Sequence, residues 1–317
     1  MKERYTSIRL GTMCRWFGIS RQAYYQHEWT LSEEVFQHSL VLDEIKSIRK
    51  RHPRIGVRKL QEILRPFLQE HKIKMGRDAL FELLSYHNLL VRKRKRHVKT
   101  THSHHWLKKY PNLIIDFTPT KPNELWVSDI TYWKLQEQPV YLSLITDAYS
   151  RKIVGYHLSE NLHAEQTLKA LTMALSDLKE QPGISEHLIH HSDRGVQYCS
   201  SSYVNQLQKK GLKISMTQSG DPLENAIAER VNGIIKDEYL FNYQCNNIRD
   251  ARKQLVIAVS LYNKERPHSS IGNLTPEVVH NHLHKIENKN IKRLWKIYYK
   301  KNPTFVNTTD ALKIKTK

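Results

Sequence analysis

The sequence predicts an α/β protein in which a mixed-sheet domain follows small all-helical segments. Residues 8–91 contain only helical hydrophobic patterns. From about residue 113, three strand patterns follow one another directly, and the later strands alternate with helices. Because consecutive strands pair antiparallel and alternating strands pair parallel, the sheet is expected to contain both kinds of pairing.

The composition is that of a globular chain with one sizeable core. Of its 317 residues, 39% are hydrophobic and 26% are charged. No stretch approaches the ~20 consecutive apolar residues of a membrane helix, and we find no signal peptide at the N-terminus. Cys14, Cys199 and Cys245 are odd in number and include no CxxC pair, so we expect no disulfide framework. The chain is therefore predicted to be cytoplasmic, with no membrane partner.

The net charge of +20 is concentrated at the two ends of the chain. Residues 1–110 hold 24 Lys and Arg against 10 Asp and Glu, residues 111–280 hold 17 against 19, and residues 281–317 hold 10 against 2. The three parts carry +14, −2 and +8. Two basic arms around a nearly neutral middle are typical of a protein that binds nucleic acid at its flanks.

Residues 8–27 read as two short helices around Gly18, with Ser20 as the N-cap of the second, "RQAYYQ". This spacing is that of a helix-turn-helix, which would aim Arg21, Gln22 and a neighbouring tyrosine at DNA. A plain helical hairpin with no DNA contact is an equal alternative.

Further along, "RKRKRHVKT" at 92–100 is too charged to pack in a core. It is predicted to be a linker that contacts phosphates; the alternative is a solvated tether, and the two are compatible. The patterns divide the chain into a helix-turn-helix-like segment at 1–38, a second helical DNA-binding segment at 39–97, a basic linker at 98–114, a catalytic domain at 115–280 and a basic tail at 281–317.

Two aspartates stand where the fold alone does not require them. Asp129 lies inside the strand "ELWVSDITYWKL", although aspartate is disfavoured in strands and costly to bury. Asp193 follows the apolar strand "HLIHHS" at its C-terminal end, where α/β sheets usually present ligand groups. Either residue alone is most simply a turn or a cap.

A third acid, Glu229, lies on the predicted helix 224–240, "ENAIAERVNGIIKDEYL". At about 100° per residue, Asn225, Asn232 and Lys236 fall on the same side of this helix as Glu229. Three carboxylates on separate rigid elements can converge to hold Mg²⁺ or Mn²⁺, because both ions prefer hard oxygen ligands. Two such ions, about 3.5–4 Å apart, suit the in-line displacement of a phosphodiester.

Asp129, Asp193 and Glu229, with 35 residues between the last two, resemble the DD(35)E signature of retroviral integrases and bacterial insertion-sequence transposases. The stretches "LWVSDITY", "HSDRGVQY", "SMTQSGDPLENAIAERVNGIIKDE" and "YNKERPHSSIGNLTPEV" resemble the OrfB protein of insertion sequences that encode their transposase in two overlapping frames. The resemblance covers roughly residues 115–280. The upstream "CRWFGISRQAYY" and "RHPRIGVRKLQ" are also similar to that family.

This resemblance implies an RNase H-like fold and a DDE transposase that cleaves and joins double-stranded DNA at element ends. It implies that the three acids are catalytic and bind metal, and that Lys236 contacts DNA. We expect Asn225, Asn232 and Arg194 to contact DNA as well; Arg194 stands where the family often has Gln. The resemblance further implies a homo-oligomer and an upstream-frame OrfA partner or fusion.

Three further residues have both a structural and a functional interpretation. Asp147 is either a fourth ligand or, more simply, a strand-end turn residue. His190 and His191 either orient a metal ligand or are packed imidazoles. Two other functions also stay open, a DNA-binding regulator with an inactive catalytic domain and an RNase H-like nuclease that only hydrolyses.

Overall fold

The computed structural model describes residues 8–92, 106–115, 117–135, 138–178, 187–218, 225–241, 243, 245 and 247–281. The predicted tail at 281–317 lies outside the described residues except for Asn281, and so does the basic run at 92–100 except for Arg92. The chain divides into two compact units. The first comprises Met1–Arg51 with Gly56–Val91, and the second comprises His52–Ile55 with Arg92–Lys317.

The first unit is helical, with α1 (Leu10–Trp16), α2 (Arg21–Arg51), α3 (Val57–Glu70) and α4 (Arg77–Tyr86). Its core consists of buried aliphatic side chains on the last three helices, namely Val41, Ile45, Ile48, Leu60, Leu64, Leu80 and Leu84. The segregation of these side chains to one stripe per helix explains why the helices pack together.

Helix α2 begins as predicted but is far longer than the predicted "RQAYYQ". The Ser20 hydroxyl accepts a hydrogen bond from the Ala23 amide at 3.0 Å, which confirms the N-cap. The turn before it contains Gly18 at φ +67°, a conformation that favours glycine. No Gly or Pro occurs between Arg21 and Arg51, so nothing stops the helix before Pro53. One helix therefore crosses residues 38 and 39, where the sequence predicted a limit between two segments.

The second unit is built on a five-stranded sheet with the order β3-β2-β1-β4-β5. Its strands are β1 (Leu125–Leu135), β2 (Gln138–Asp147), β3 (Ile153–Ser159), β4 (Ile189–Ser192) and β5 (Lys213–Met216). Strands β1, β2 and β3 pair antiparallel, whereas β4 pairs parallel with both β1 and β5. The mixed sheet confirms the predicted α/β fold class.

Helices cover both faces of this sheet. They are α5 (Ala164–Leu178), α6 (Val196–Cys199), α7 (Ser201–Lys209), α8 (Ala226–Ile234), α9 (Ile248–Glu265) and α10 (Pro276–Asn281), with a π-helix at Ile235–Leu240 and a 3₁₀-helix at Ser269–Ile271. Helices α5, α6 and α7 pack on one face, around Trp126, Ile145 and Val154. Helices α8 and α9 and the π-helix pack on the other face, around Leu142 and Leu144.

Gly155 of β3 lets α5 approach the sheet closely. A Cβ atom at this position would collide with the Ala170 carbonyl oxygen of α5. This close packing fixes α5 against the strands, so that only glycine fits here. Among the described helices, none is long and apolar enough to cross a membrane.

Candidate active site

The parallel pairing of β1 and β4 places Asp129 beside Asp193. Ser128 is paired with Ser192 in the parallel register, and each aspartate is the next residue in its chain. Strand β4 ends there, whereas β1 continues in its antiparallel pairing with β2. Both carboxylates therefore emerge at the point where the parallel part of the sheet ends, which is where α/β sheets commonly bind ligands. Both are half-buried.

Glu229 reaches this point from the other layer of the fold. It lies in the first turn of α8 and is exposed. The same turn is anchored on the sheet by Ala228, which belongs to a buried cluster with Leu125 and Val127 of β1. The face of α8 that carries apolar residues thus fixes where its carboxylate lies.

The three acids act on one another electrostatically. Burial, the Asp193 carboxylate and the Glu229 carboxylate raise the pKa of Asp129 to about 7, and a hydrogen bond from Asn232 opposes this rise. Both desolvation and neighbouring negative charge favour the protonated form of a carboxyl. Asp129 consequently lies in the electrostatic field of both other acids.

The two asparagines of the predicted polar stripe contact the protein itself. Asn232 is buried and donates through Nδ2 to Asp129 Oδ2 at 2.8 Å. Asn225 is also buried and donates to the Ser128 carbonyl at 2.9 Å. In this structure both amide groups thus bond to the protein itself, and their contact with DNA stays a prediction. They hold Asp129 and its strand in place.

Lys236 lies one turn further on, in the π-helix, and is positioned by two residues of β1. Its Nζ donates to Thr131 Oγ1 at 3.0 Å and lies 4.5 Å from the centroid of the Tyr132 ring. Tyr132 is 42% exposed. The ammonium is therefore held beside the acids by a hydrogen bond and a cation–π contact. Sequence reasoning read Tyr132 as strand core and gave Thr131 no role.

The π-helix is itself anchored by a buried ion pair and a histidine. Arg266 is 1% exposed and donates from Nε and Nη2 to the two carboxylate oxygens of Glu238, both at 2.7 Å. The Tyr239 hydroxyl is 3.0 Å from Nδ1 of the buried His52. A π-helical turn is rare and is often found at functional sites. The motifs "RHPRIG" and "NKERPHS", which had no assigned role, supply these anchors.

The remaining predicted residues are placed as follows. Arg194 is half-buried directly after Asp193, and Arg21 and Gln22 are exposed in the first turn of α2. Arg194 therefore lies next to one of the acids, whereas Arg21 and Gln22 belong to the separate helical unit.

Asp147, His190 and His191 have structural partners. The buried Asp147 accepts hydrogen bonds from the Asn123 and Ser150 amides, both at 2.7 Å, which is the turn role favoured from sequence. His190 Nε2 lies 2.8 Å from Ser128 Oγ, and burial, together with His191, lowers its pKa to about 3. His191 Nδ1 lies 2.8 Å from Ser215 Oγ. Both imidazoles are packed inside the sheet layer.

The donor set fits a hard divalent cation. Neighbouring carboxylates favour a counter-cation, and besides burial the Asp193 and Glu229 carboxylates raise the pKa of Asp129. Within the described ranges, the buried Oδ1 atoms of Asn225 and Asn232 have no hydrogen-bond partner, which adds oxygen atoms beside the acids. As the side chains stand, no three His, Cys, Asp or Glu residues of the described chain lie close enough to share one ion.

The chain is similar to known proteins along most of its length. Two family models, both of the integrase core domain, match residues 119–222 and 210–276. The chain is 37% identical to an uncharacterized 31 kDa protein of insertion element IS600 from Shigella sonnei, over 86% of this chain and 99% of that protein. It is 30% identical to the transposase for insertion sequence element IS904 from Lactococcus lactis, over 69% of this chain and 92% of that protein.

A solved structure is also similar. The HTLV-2 integrase catalytic core domain in complex with magnesium has 21% sequence identity and a TM-score of 0.40, and the match covers 51% of this chain and 98% of that one.

Proposed function

The chain belongs to the integrase core domain family and is a DDE transposase of the insertion-sequence type, and we propose that Asp129, Asp193 and Glu229 carry its chemistry. One observation supports this assignment above the others. The parallel register of β1 and β4 sets Asp129 beside Asp193, and the pKa of Asp129 responds to both Asp193 and Glu229. Perturbed carboxyls of this kind are typical of functional sites.

The three acids would hold Mg²⁺ or Mn²⁺, with two ions when DNA is bound. When bound, divalent metal supplies activation of the attacking oxygen and stabilisation of the leaving oxygen. Asn232 orients the Asp129 carboxylate through its 2.8 Å hydrogen bond. Glu229, which is exposed, presents its carboxylate towards the solvent side where DNA arrives.

Lys236 is the residue that would bind the scissile strand. A lysine ammonium is a point charge suited to a phosphate, and Thr131 and Tyr132 hold this one beside the acids. Arg194 is suited to the same strand by its position next to Asp193. The reaction assigned to this site has two steps. Cleavage of a phosphodiester at an element end frees a 3′-OH. That 3′-OH then attacks a second phosphodiester.

The basic arms would recognise the ends of the element. Their charges of +14 and +8 suit the DNA backbone, and Arg21 and Gln22 at the start of α2 are exposed. The DNA ligands in this proposal are the terminal inverted repeats and target DNA. The protein acts as a homo-oligomer that pairs two ends, with an OrfA segment as partner or fusion. It works at the bacterial nucleoid.

A strand-joining assay distinguishes this function from its rivals. DNA ends taken from beside the gene are incubated with Mg²⁺ and the chain, with and without the upstream frame. The comparison uses Glu229→Gln and, as a matched control far from the site in sequence, Glu277→Gln. Joined products that are lost only in Glu229→Gln support the proposal. Shorter strands without joined ones would indicate a nuclease, and binding without chemistry would indicate a regulator.

A further inference from the structure

The tyrosine at the end of the motif "HSDRGVQY" has a buried hydroxyl group that is not hydrogen-bonded. Tyr198 lies on the short helix α6 and is 2% exposed. Within the part of the chain that the structure describes, no atom forms a hydrogen bond with its hydroxyl oxygen. A buried tyrosine hydroxyl usually has a partner, because an unpaired one lowers the stability of the fold. The hydroxyl of Tyr198 is therefore a donor that the fold itself does not use.

Packing holds the Tyr198 ring in one orientation. It meets the Tyr203 ring edge to face, with the two centroids 5.4 Å apart and the planes at 82°. The Tyr203 hydroxyl lies 3.0 Å from His190 Nε2, which is also 2.8 Å from Ser128 Oγ. Ser128 directly precedes Asp129. A row of buried side chains thus leads from Tyr198 to the strand that carries the first acid.

Gly195 brings the Tyr198 ring close to the second acid. The Gly195 amide donates to Asp193 Oδ1 at 3.0 Å. A Cβ atom on Gly195 would lie 3.0 Å from the same Asp193 Oδ1 and 3.7 Å from Tyr198 Cδ2. The carboxylate and the edge of the ring therefore border the same small space, which the absence of a side chain at Gly195 keeps open.

Electrostatics agrees with this placement and defines what the hydroxyl can do. Burial raises the pKa of Tyr198 most, and Tyr203 raises it further. The carboxylates of Asp129 and Asp193 raise the pKa of Tyr198 as well. A phenol with a raised pKa keeps its proton at neutral pH, so it donates a hydrogen bond and does not act as an anionic ligand. Because it is buried, this hydroxyl also cannot bind DNA.

We propose that Tyr198 is a positioning residue of the catalytic centre, whose hydroxyl donates a hydrogen bond to a carboxylate oxygen of the pair Asp129 and Asp193 when that pair binds a divalent cation. Carboxylates that bind metal are normally held by further hydrogen bonds, which fix their orientation. A bond from a phenol to a carboxylate is charge-assisted and therefore strong. The inference rests on the proposed function, since it takes these aspartates as metal ligands.

Two conservative variants separate this role from simple packing. Tyr198→Phe and Tyr203→Phe each remove one buried hydroxyl and keep the ring, but only the hydroxyl of Tyr203 has a partner in the metal-free structure. Binding of Mn²⁺ to the full chain without DNA is measured from the electron paramagnetic resonance signal of free Mn²⁺. We expect the dissociation constant to rise about tenfold in Tyr198→Phe and to stay near the wild-type value in Tyr203→Phe.

Stability in chelator gives the opposite order for the same two variants. Tyr198→Phe should unfold at the same urea concentration as wild type or at a higher one, because it removes a buried hydroxyl that has no partner. Tyr203→Phe should unfold at a lower urea concentration, because it loses the hydrogen bond with His190. If Tyr198→Phe lowers both the stability in chelator and the affinity for Mn²⁺, the hydroxyl has a structural role and the proposal is overturned.

The variant Asp193→Asn distinguishes failure of this inference from failure of the proposed function. If Asp193→Asn weakens Mn²⁺ binding and Tyr198→Phe binds as wild type does, the role of Tyr198 is refuted and the proposed function stands. If Asp193→Asn also binds Mn²⁺ as wild type does, Asp193 is not a metal ligand, and both proposals fail. Weaker binding in Asp193→Asn and Tyr198→Phe, with Tyr198→Phe no less stable than wild type in chelator, is the result that supports the inference.

Discussion

At the scale of single residues, Asp129 determines how the metal-free protein responds to pH. Its carboxyl keeps its proton up to a pKa of about 7 in the folded chain, whereas an unfolded aspartate loses its proton near pH 4. Between these values the folded state binds more protons than the unfolded state. The free energy of unfolding must therefore fall as the pH rises from about 4 to about 7.

The variant Asp129→Asn should lose this part of the pH dependence. In chelator, it is expected to be more stable than wild type at pH 8, by an amount on the order of a few kcal/mol, because no charge has to form at this poorly solvated position beside Asp193 and Glu229. Urea unfolding at several pH values measures the effect, and the exposed Asp177→Asn serves as control. Equal slopes for wild type and Asp129→Asn between pH 4 and 7 would show that the pKa of Asp129 is not raised in the folded chain.

Asn232 is predicted to act through Asp129. Its hydrogen bond lowers the pKa of that carboxyl, so Asn232→Ala should move the acidic limb of the pH–rate profile for strand joining to higher pH. Raising the pH should restore much of the lost rate. A uniform loss at every pH would point to a structural role only.

Lys236 depends on its two neighbours on β1. Replacing them together, Thr131→Val with Tyr132→Leu, should lower strand joining about tenfold, because the lysine loses a hydrogen bond and a cation–π contact. The same pair of changes in a Lys236→Ala background should cost almost nothing more. If the two changes lower strand joining as much in the Lys236→Ala background as in wild type, Thr131 and Tyr132 act independently of the lysine.

At the scale of elements, the position of the π-helix after α8 depends on tertiary contacts. It carries Lys236, and it is tied down through Glu238 to the buried Arg266. Removing one partner leaves a buried charge without compensation, which costs about 3–5 kcal/mol. The element that presents the lysine is therefore secured by a contact far from the chemistry.

The variant Arg266→Met tests this anchor. It is expected to lower the free energy of unfolding by about 3 kcal/mol, as measured by denaturant titration. Arg249→Met, at an exposed position of the same α9, should change it by less than about 0.5 kcal/mol. Similar stabilities for the two variants would contradict the anchoring role.

The elements also show what sequence patterns can and cannot predict. The strands of the second unit were predictable because β-branched and aromatic runs repeat with short turns. The placement of the acids followed from a motif of fixed spacing. The switch from α-helix to π-helix at Ile235 was not predictable, because it depends on tertiary contacts such as Arg266 with Glu238. The inward direction of Asn232 was missed for a similar reason, since a polar stripe on a helix does not tell which of its members the sheet buries.

At the scale of the whole molecule, charge separates the arms from the catalytic middle. The arms carry +14 and +8, whereas residues 111–280 carry −2. Affinity for DNA should therefore come mainly from the arms and fall steeply with salt. The catalytic site then only has to orient the strand that the arms deliver.

The basic run at 92–96, "RKRKR", offers a direct test of this division. Replacing these five residues by Gln should make the slope of log affinity against log salt less steep, by up to about 4 if most of them contact phosphates. Fluorescence anisotropy with labelled duplex DNA measures it. An unchanged slope would favour the solvated tether.

The central claim is that three acids from two layers of the fold form one catalytic centre. Its most direct test is metal-dependent strand joining by three single variants, Asp129→Asn, Asp193→Asn and Glu229→Gln, each compared with Glu277→Gln. We predict that each of the three lowers joining by on the order of a hundredfold or more, while its affinity for DNA and its circular dichroism stay near wild type. Near-normal joining by any one of them would remove that residue from the centre and contradict the account.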